Sequence, residues 1–190
     1  GSTSLSRGTT IAEVLGGAGY FTAMSGKWHL SKQPTDFGFQ RYWGHLSGAT
    51  NFFTGDNSFR LNGEEWKVPK TLNGRPFYTT HAITDFALDF LDEATTREKD
   101  KPFLLYLAYN APHYPLHAPE ADIKRYDGVY DEGWDKLRRT RHSRQLKSGL
   151  LPARFKLSPR APHVPSWKSI PESEKQWEVD RMEVFAAMVD

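Results

Sequence analysis

Lys27 and His29 stand two residues apart, directly after a run, Tyr20 to Ser25, that reads as a short strand. Side chains alternate along an extended chain, so both point to the same side. An ammonium beside an imidazole suits an anionic substrate: lysine supplies charge, and histidine moves a proton near neutral pH. Spacing alone leaves a second reading open, in which a Lys-x-His pair is a surface accident. A second pair, His113 and His117, lies four apart in the proline-rich loop Asn110–Pro119. On a helix the two would share a metal, but the neighbouring prolines argue against a helix, and no third ligand accompanies them. No metal site is expected here, and His117 reads as a substrate-side neighbour. His45, His81, His142 and His163 belong to no motif and take ordinary surface or core roles.

The elements that must position these residues follow from periodicity. Thr9 or Thr10 caps a helix whose Ile11, Val14 and Leu15 share one face, and Gly16, Gly17 and Gly19 end it. The strand to Ser25 comes next. Residues 30–57 read as loop, rich in glycine and aromatics. Ser58 to Val68 reads as a β-hairpin turning at Asn62-Gly63. Ile83, Phe86, Ala87, Phe90 and Leu91 repeat at helical spacing, predicting a helix over 80–94. Phe103 to Tyr109 is a continuous apolar run, the signature of a strand buried on both faces of a parallel sheet. Residues 120–149 read as helical and basic, and 150–170 as an irregular proline-rich segment. Ser169 with Glu172 offers a capping box for a helix over 171–190, with Trp177, Val184, Phe185 and Met188 on one side. Trp28 is expected to pack behind the site, and Trp66, Trp134, Trp167 and Trp177 to anchor loops and helices. The order of elements predicts an α/β sheet flanked by helices, with a small β-hairpin insertion. Ligands of such sheets sit beyond the carboxyl ends of the strands, where the loops 26–30 and 110–117 both emerge.

Composition narrows the function classes. A chain of 190 residues suffices for one domain, read as a single unit over 1–190. Aromatic content of 14% offsets a modest apolar share of 38%, which favours a folded protein with large anchors. A formal net charge of +2 gives no global field for nucleic acid or membrane, and neither is expected as a partner. The basic run from Lys136 to Arg144 has no interleaved aromatics and reads as a solvated helix, with a sulfated glycan as the other candidate to face it. The absence of cysteine removes disulfides, thiolate metal sites and a Cys nucleophile from this sequence. No apolar run reaches membrane-span length, and the N-terminus shows no secretory pattern. Gly1-Ser2 reads as a cloning residue or a cut edge. The sequence stops inside the helical pattern Phe185–Asp190, which predicts a fragment.

The segment Gly19-Tyr20-Phe21-Thr22-Ala23-Met24-Ser25-Gly26-Lys27-Trp28-His29-Leu30 resembles the second signature segment of the sulfatase family, departing from many relatives only at the following Ser31. Pro34 to Phe39, Tyr42-Trp43-Gly44, Lys101 to Leu104 and Ala111 to Pro119 are similar to later family segments. Tyr130 to Asp135 and Leu157 to Arg160 resemble bacterial arylsulfatase-like members, so the likeness runs from about residue 9 to 190.

The resemblance implies part of the alkaline-phosphatase-like fold and a parent enzyme that hydrolyses sulfate esters, aryl or carbohydrate. Within it Lys27 would bind the sulfate and the bridging oxygen. His29 would sit beside the nucleophile and help open the covalent hemiacetal sulfate, and His113 would protonate the leaving alcohol. Lys27, His113 and His117 would contact substrate. It also implies a formylglycine nucleophile made from Cys, or Ser, in a Cys-x-Pro-x-Arg motif, and calcium held by Asp-Asp and Asp-Asn pairs. Neither is found at a matching position: Thr3-Ser4-Leu5-Ser6-Arg7 mimics only the motif's end, and Asp56-Asn57 reads as a turn. The expectation is a fragment of the N-terminal catalytic domain that by itself has no cofactor, binds no calcium tightly and turns over no sulfate ester. It is prone to self-association through exposed strand edges. Relatives are commonly periplasmic, secreted or lysosomal. The alternatives are a truncated or degenerate non-catalytic chain, and a phosphonate or phosphate monoester hydrolase of the same superfamily.

Overall fold

The computed structural model describes residues 8–190; Gly1-Ser2 and the Thr3–Arg7 segment lie outside the described residues. The chain divides after His117 into two compact units.

The first unit opens with helix α1 (Ile11–Gly17), capped as expected by Thr10. Thr10 Oγ1 accepts the Glu13 N–H at 3.1 Å, and the Glu13 carboxylate accepts the Thr10 N–H at 2.7 Å, a reciprocal capping box. The face expected to be buried is the open one: Ile11 is 65% and Val14 57% exposed, while Ala12 is buried against Met24, Phe39 and Tyr42. A small side chain lets the helix backbone approach Gly38, where a Cβ would fall 2.5 Å from the Glu13 nitrogen.

Strand β1 (Phe21–Gly26) is buried along its whole length. It pairs in parallel with β2 (Arg41–His45) on one side and with β7 (Phe103–Ala108) on the other. The sheet continues antiparallel through β3 (Phe59–Leu61) and β4 (Glu64–Glu65), giving the order β4-β3-β2-β1-β7. The Asn62-Gly63 turn joins β3 to β4 with φ of 49° and 98°, the left-handed pair that a two-residue hairpin turn requires. The hairpin forms as read and continues the main sheet at its edge, but one reading changes here. The stretch 30–57, read as loop, contains β2, whose Tyr42 and Trp43 are fully buried. A second hairpin, β5 (Thr71–Leu72) and β6 (Arg75–Pro76), turns at Asn73-Gly74.

Helix α2 (Thr79–Thr96) matches the predicted helix and covers one face of β1, β2 and β7. Its Ala82, Ile83, Phe90 and Ala94 join Phe21, Ala23, Trp43, Phe59 and Phe77 in the main core. The Phe86 ring stacks on Trp43 at 4.4 Å. Burial on this scale, about 25 cal/mol per Å² of apolar surface, dominates the unit's stability. Arg41 at the start of β2 adds a two-pronged bond to Glu93 of α2, at 2.9 and 2.6 Å.

Strand β7 corrects the expectation of burial on both faces. Among the described residues it is the edge strand of the sheet, with only β1 beside it, and Phe103, Tyr106 and Leu107 are 45%, 49% and 42% exposed. Its inner residues are satisfied: Leu105 packs on the α2 core, and Leu104 and Ala108 on the α1 side.

The second unit holds α3 (Glu120–Ile123), a 3-10 turn over Lys124–Tyr126, α4 (Gly133–Lys147) and α5 (Glu172–Val189). α3 packs on α5, whose buried Glu183 accepts the Gly128 N–H at 3.2 Å. The irregular segment straps α4: Trp134 meets Trp167 edge-on at 4.8 Å, His142 bonds the Phe155 carbonyl, and Asp135 accepts the Trp167 N–H at 2.8 Å. Trp134 and Trp167 are anchors, as is Trp66 in the first unit; Trp177 is not, being 60% exposed beneath the Arg181 guanidinium. The Ser169–Glu172 capping box does not form. Ser169 Oγ donates to the Ser166 carbonyl and Pro171 occupies the N-cap position. Phe185 is exposed, and the face of α5 that is buried is Val179, Glu183, Ala187 and Met188. No helix among the described residues is long and apolar enough to cross a membrane.

Candidate active site

The carboxyl ends of β1, β2 and β7 approach one another closely. A Cβ at Gly26 would fall 1.9 Å from the Ala108 carbonyl oxygen, and one at Gly44 would fall 1.8 Å from that of Gly26. Only glycine permits such backbone contact at both positions. The loop leaving β1 is pinned on either side: Lys27 N–H donates to Ala108 O at 2.8 Å, and Trp28 N–H to His45 O at 3.0 Å. The Trp28 ring packs behind this loop on Phe37 and Phe39, as expected. One step earlier, Ser25 Oγ donates to the Ile83 carbonyl at 2.7 Å and fastens the end of β1 to α2.

Lys27 is half-buried, and burial pushes its ammonium below the ordinary lysine range. A partly desolvated cation acts more strongly on an anion than a hydrated one. His29 is exposed, with φ of 62° in the left-handed region. That conformation is uncommon for a residue with a Cβ and persists where surrounding structure imposes it. Its ring lies against Gly48, where a Cβ would fall 2.5 Å from Nε2.

His113 lies on the loop leaving β7 and is exposed; its backbone N–H bonds Asn110 O at 2.9 Å. Its Nδ1 is 2.6 Å from Tyr114 O. A carbonyl only accepts, so Nδ1 carries hydrogen and Nε2 is the nitrogen able to exchange a proton. The Ala111-Pro112 and Tyr114-Pro115 bonds in this loop are cis. The structure places Lys27 and His29 in one loop and ties Lys27 to the last residue of β7; His113 bonds within its own loop and not to Lys27 or His29. His117 is half-buried against Phe52 and Phe53, at 6.2 and 5.7 Å between ring centres, and its carbonyl accepts the Tyr78 hydroxyl at 3.0 Å.

Further side chains here were given no part in the site from sequence. His45, at the end of β2, is fully buried on the Phe59 ring. Its Nδ1 lies 3.0 Å from Ser47 O and 3.1 Å from Ser47 Oγ, and Ser47 Oγ donates to Asp56 at 2.8 Å. Asp56 also accepts the Ser58 N–H at 2.7 Å, so Asp56-Asn57 is a turn, as read, and an anchor as well. Burial pushes Asp56 up, but hydrogen bonds from Ser58 and Ser47 outweigh it and hold the carboxyl below its usual range. Burial pushes His45 down to about 4, helped by the positive charges of Lys27 and His29 and opposed by Asp56. Asn110 is 3% exposed with neither side-chain polar atom hydrogen-bonded. Reading β2 as a strand was the signal that would have found His45, since it puts His45 at a carboxyl end beside Lys27.

The calcium and formylglycine that the resemblance implies find no holders here. No three His, Asp or Glu side chains among the described residues come together to hold a metal ion, and the sequence has no cysteine.

Comparison with known proteins identifies relatives over most of this chain. An uncharacterised sulfatase of Schizosaccharomyces pombe is 35% identical over 199 residues, covering 97% of this chain and 35% of that protein. An arylsulfatase of Klebsiella aerogenes is 30% identical over 200 residues, covering 96% and 40%. The chain thus spans well under half the length of these relatives. Among solved structures, BT4656 in complex with its substrate D-glucosamine-2-N,6-O-disulfate superposes with a TM-score of 0.53 at 31% identity, covering 66% of this chain and 23% of that one. The Sulfatase family profile matches residues 4–177, and the chain belongs to the sulfatase family.

Proposed function

We propose that this chain supplies the sulfate-binding and proton-transfer part of a sulfatase active site, in a protein that hydrolyses sulfate esters. The observation that carries it is the pinned loop after β1, which sets a half-buried Lys27 and a conformationally held His29 at the carboxyl end of β1, tied through Ala108 to the strand that leads to His113.

Hydrolysis of R–O–SO₃⁻ breaks the S–O bond and leaves negative charge on the departing oxygen. Lys27 binds the sulfate oxygens and the bridging oxygen, and its desolvated ammonium stabilises that developing charge. His113, as imidazolium, gives its Nε2 proton to the leaving oxygen and remains as the neutral Nδ1–H form that Tyr114 O holds. His29 exchanges a proton beside the sulfur-attacking group. A formylglycine would supply an attacking oxygen and calcium would neutralise sulfate charge; neither has a holder among the described residues, and the roles of Lys27 and His113 follow without them.

The substrate class is a carbohydrate or aryl sulfate. The relative bound to a sulfated glucosamine supports the first, and the Klebsiella arylsulfatase the second. The test is sulfate release from 4-nitrocatechol sulfate and from glucosamine 6-sulfate by the full-length natural protein, followed by ion chromatography. Release from either, lost in Lys27→Ala, is expected. Hydrolysis of phosphate monoesters with no sulfate release overturns the reading.

A further inference from the structure

His45 touches the loop of Lys27 and His29 directly at one point and reaches it at a second through Ser47 and Gly48. Its carbonyl oxygen accepts the Trp28 N–H at 3.0 Å, the bond next to the strained residue. Its imidazole holds Ser47, the neighbour of Gly48, and Gly48 is the wall against which the His29 ring rests. The bonding order is fixed. Ser47 O only accepts, so His45 Nδ1 carries the hydrogen; Ser47 Oγ takes a share of it and passes its own hydrogen to Asp56. His45 Nε2 is thereby left as a lone pair, buried and without a donor. A fully buried ring with one satisfied and one unsatisfied nitrogen is a costly choice for mere packing between Phe59 and the loop.

From this geometry we infer that His45 is a positioning residue of the candidate site: a neutral Nδ1–H imidazole that, through Ser47 and Asp56, holds His29 in its left-handed conformation. The inference rests on the proposed function for its catalytic consequence, and on the structure alone for the clamp. The charged groups around the ring are Asp56 on the loop after β2, and Lys27 and His29 on the loop after β1. Burial keeps the ring uncharged, and the Lys27 ammonium disfavours positive charge on it further.

Asparagine and glutamine separate this role from simple packing. Asparagine sets an N–H near the position of Nδ1, and glutamine sets its amide near Nε2. In the full-length protein, His45→Ala and His45→Gln are expected to lower kcat on 4-nitrocatechol sulfate about 100-fold with KM little changed, the loss expected of a group misplaced by about 1 Å. His45→Asn is expected to stay within about 5-fold of wild type on the same reasoning. Long-range ¹H–¹⁵N NMR on histidine-labelled protein should show His45 as a neutral Nδ1–H ring at pH 6, and His29 ring signals displaced in the alanine and glutamine variants but not in the asparagine one. Unmoved His29 signals in His45→Ala, or equal loss in His45→Asn and His45→Gln, overturn the clamp. Should His45→Asn not fold, Asp56→Ala leaves His45 in place and removes the Asp56 end of the Ser47 tether, and an unmoved His29 in that variant overturns a clamp that runs through Ser47 and Asp56. If the wild-type protein releases no sulfate, the proposed function fails while the NMR comparison still decides the clamp.

Discussion

Gly48 and His29 are in steric contact: a Cβ at Gly48 would fall 2.5 Å from His29 Nε2, 2.9 Å from Cε1 and 3.0 Å from Cδ2. All three atoms belong to a side chain that is exposed and able to swing away. Gly48→Ala is therefore expected to cost little stability, under about 1 kcal/mol, because the ring yields. Activity is a different matter, since the displaced ring is the proposed proton-handling group. A fall in kcat of about 10- to 100-fold on 4-nitrocatechol sulfate is expected, with the melting temperature nearly unchanged. Steady-state kinetics and a thermal melt on the same preparation check it. A wild-type kcat would show that the position of the His29 ring does not matter.

Ser25 belongs to the same signature segment as Lys27 but does different work. Its hydroxyl is fully buried and donates to Ile83 O at 2.7 Å, joining β1 to α2. Ser25→Ala removes a donor whose acceptor lies in a helix, so the loss is that of one buried hydrogen bond, about 1 kcal/mol. Denaturant unfolding should show this shift with kcat unchanged. Lys27→Ala should show the reverse: near-normal stability, because the side chain is half-exposed, and loss of turnover. A Ser25→Ala enzyme with normal stability and lost activity would place Ser25 in the chemistry.

How much of this was legible in the sequence differs between elements. The α1 capping box, the Asn62-Gly63 turn and α2 all follow from local chemistry: a hydroxyl three residues before a carboxylate, a left-handed pair, a 3.6-residue repeat. β2 was hidden because Gly38 and Gly44 flank and interrupt it, and glycines read as loop. The structure shows Gly44 to be required by backbone contact with Gly26, a non-local demand invisible along the chain. The exposure of β7 was misread for a related reason: a continuous apolar run specifies a strand suited to burial but not what lies beside it. At the site, the placement of Lys27 and His29 just after β1 and of His113 after β7 was legible along the chain. His45 was not, because a buried histidine is marked only by what the fold brings to it, here Ser47, Asp56 and the carboxyl end of β1. The failed Ser169–Glu172 box shows the converse: Ser169 satisfies itself on Ser166 O inside a 3-10 turn, and Pro171 takes the cap.

His45 also gives the protein a specific acid sensitivity. Its folded value is pushed down to about 4 by burial, and the unfolded ring titrates near the usual histidine value, about 6.5. Between these values the unfolded chain binds a proton that the folded chain refuses, so stability is full above about pH 6.5 and falls as pH drops toward 4. The expected loss from this one ring between pH 7 and 4.5 is about 2 kcal/mol. Asp56, with its depressed carboxyl, loses its contribution in the same direction but lower, below the ordinary carboxylate value. Urea unfolding at pH 7 and 4.5 on wild type and His45→Asn measures the difference. The variant should show a smaller acid loss by that amount, and an identical loss would remove His45 from the account.

His113 can be tested by what it gives the leaving group. Its Nδ1 is committed to Tyr114 O at 2.6 Å, so proton donation must come from Nε2. A general acid matters in proportion to the basicity of the departing oxygen. A sugar alcohol or an unsubstituted phenol leaves poorly and needs the proton, whereas nitrocatechol leaves readily as its anion. His113→Ala should therefore lower kcat/KM about 1,000-fold on glucosamine 6-sulfate, within the range usual for a lost general acid, and about 10-fold or less on 4-nitrocatechol sulfate. The alkaline limb of the pH profile should flatten only for the poor leaving group. Equal losses on both substrates would make His113 a sulfate-binding residue with no part in proton transfer. His113→Gln sharpens the contrast, because it keeps a neutral donor near Nε2 that hydrogen-bonds an oxygen but cannot release a proton to it. Rescue by glutamine on the nitrocatechol ester alone is the outcome expected of an acid.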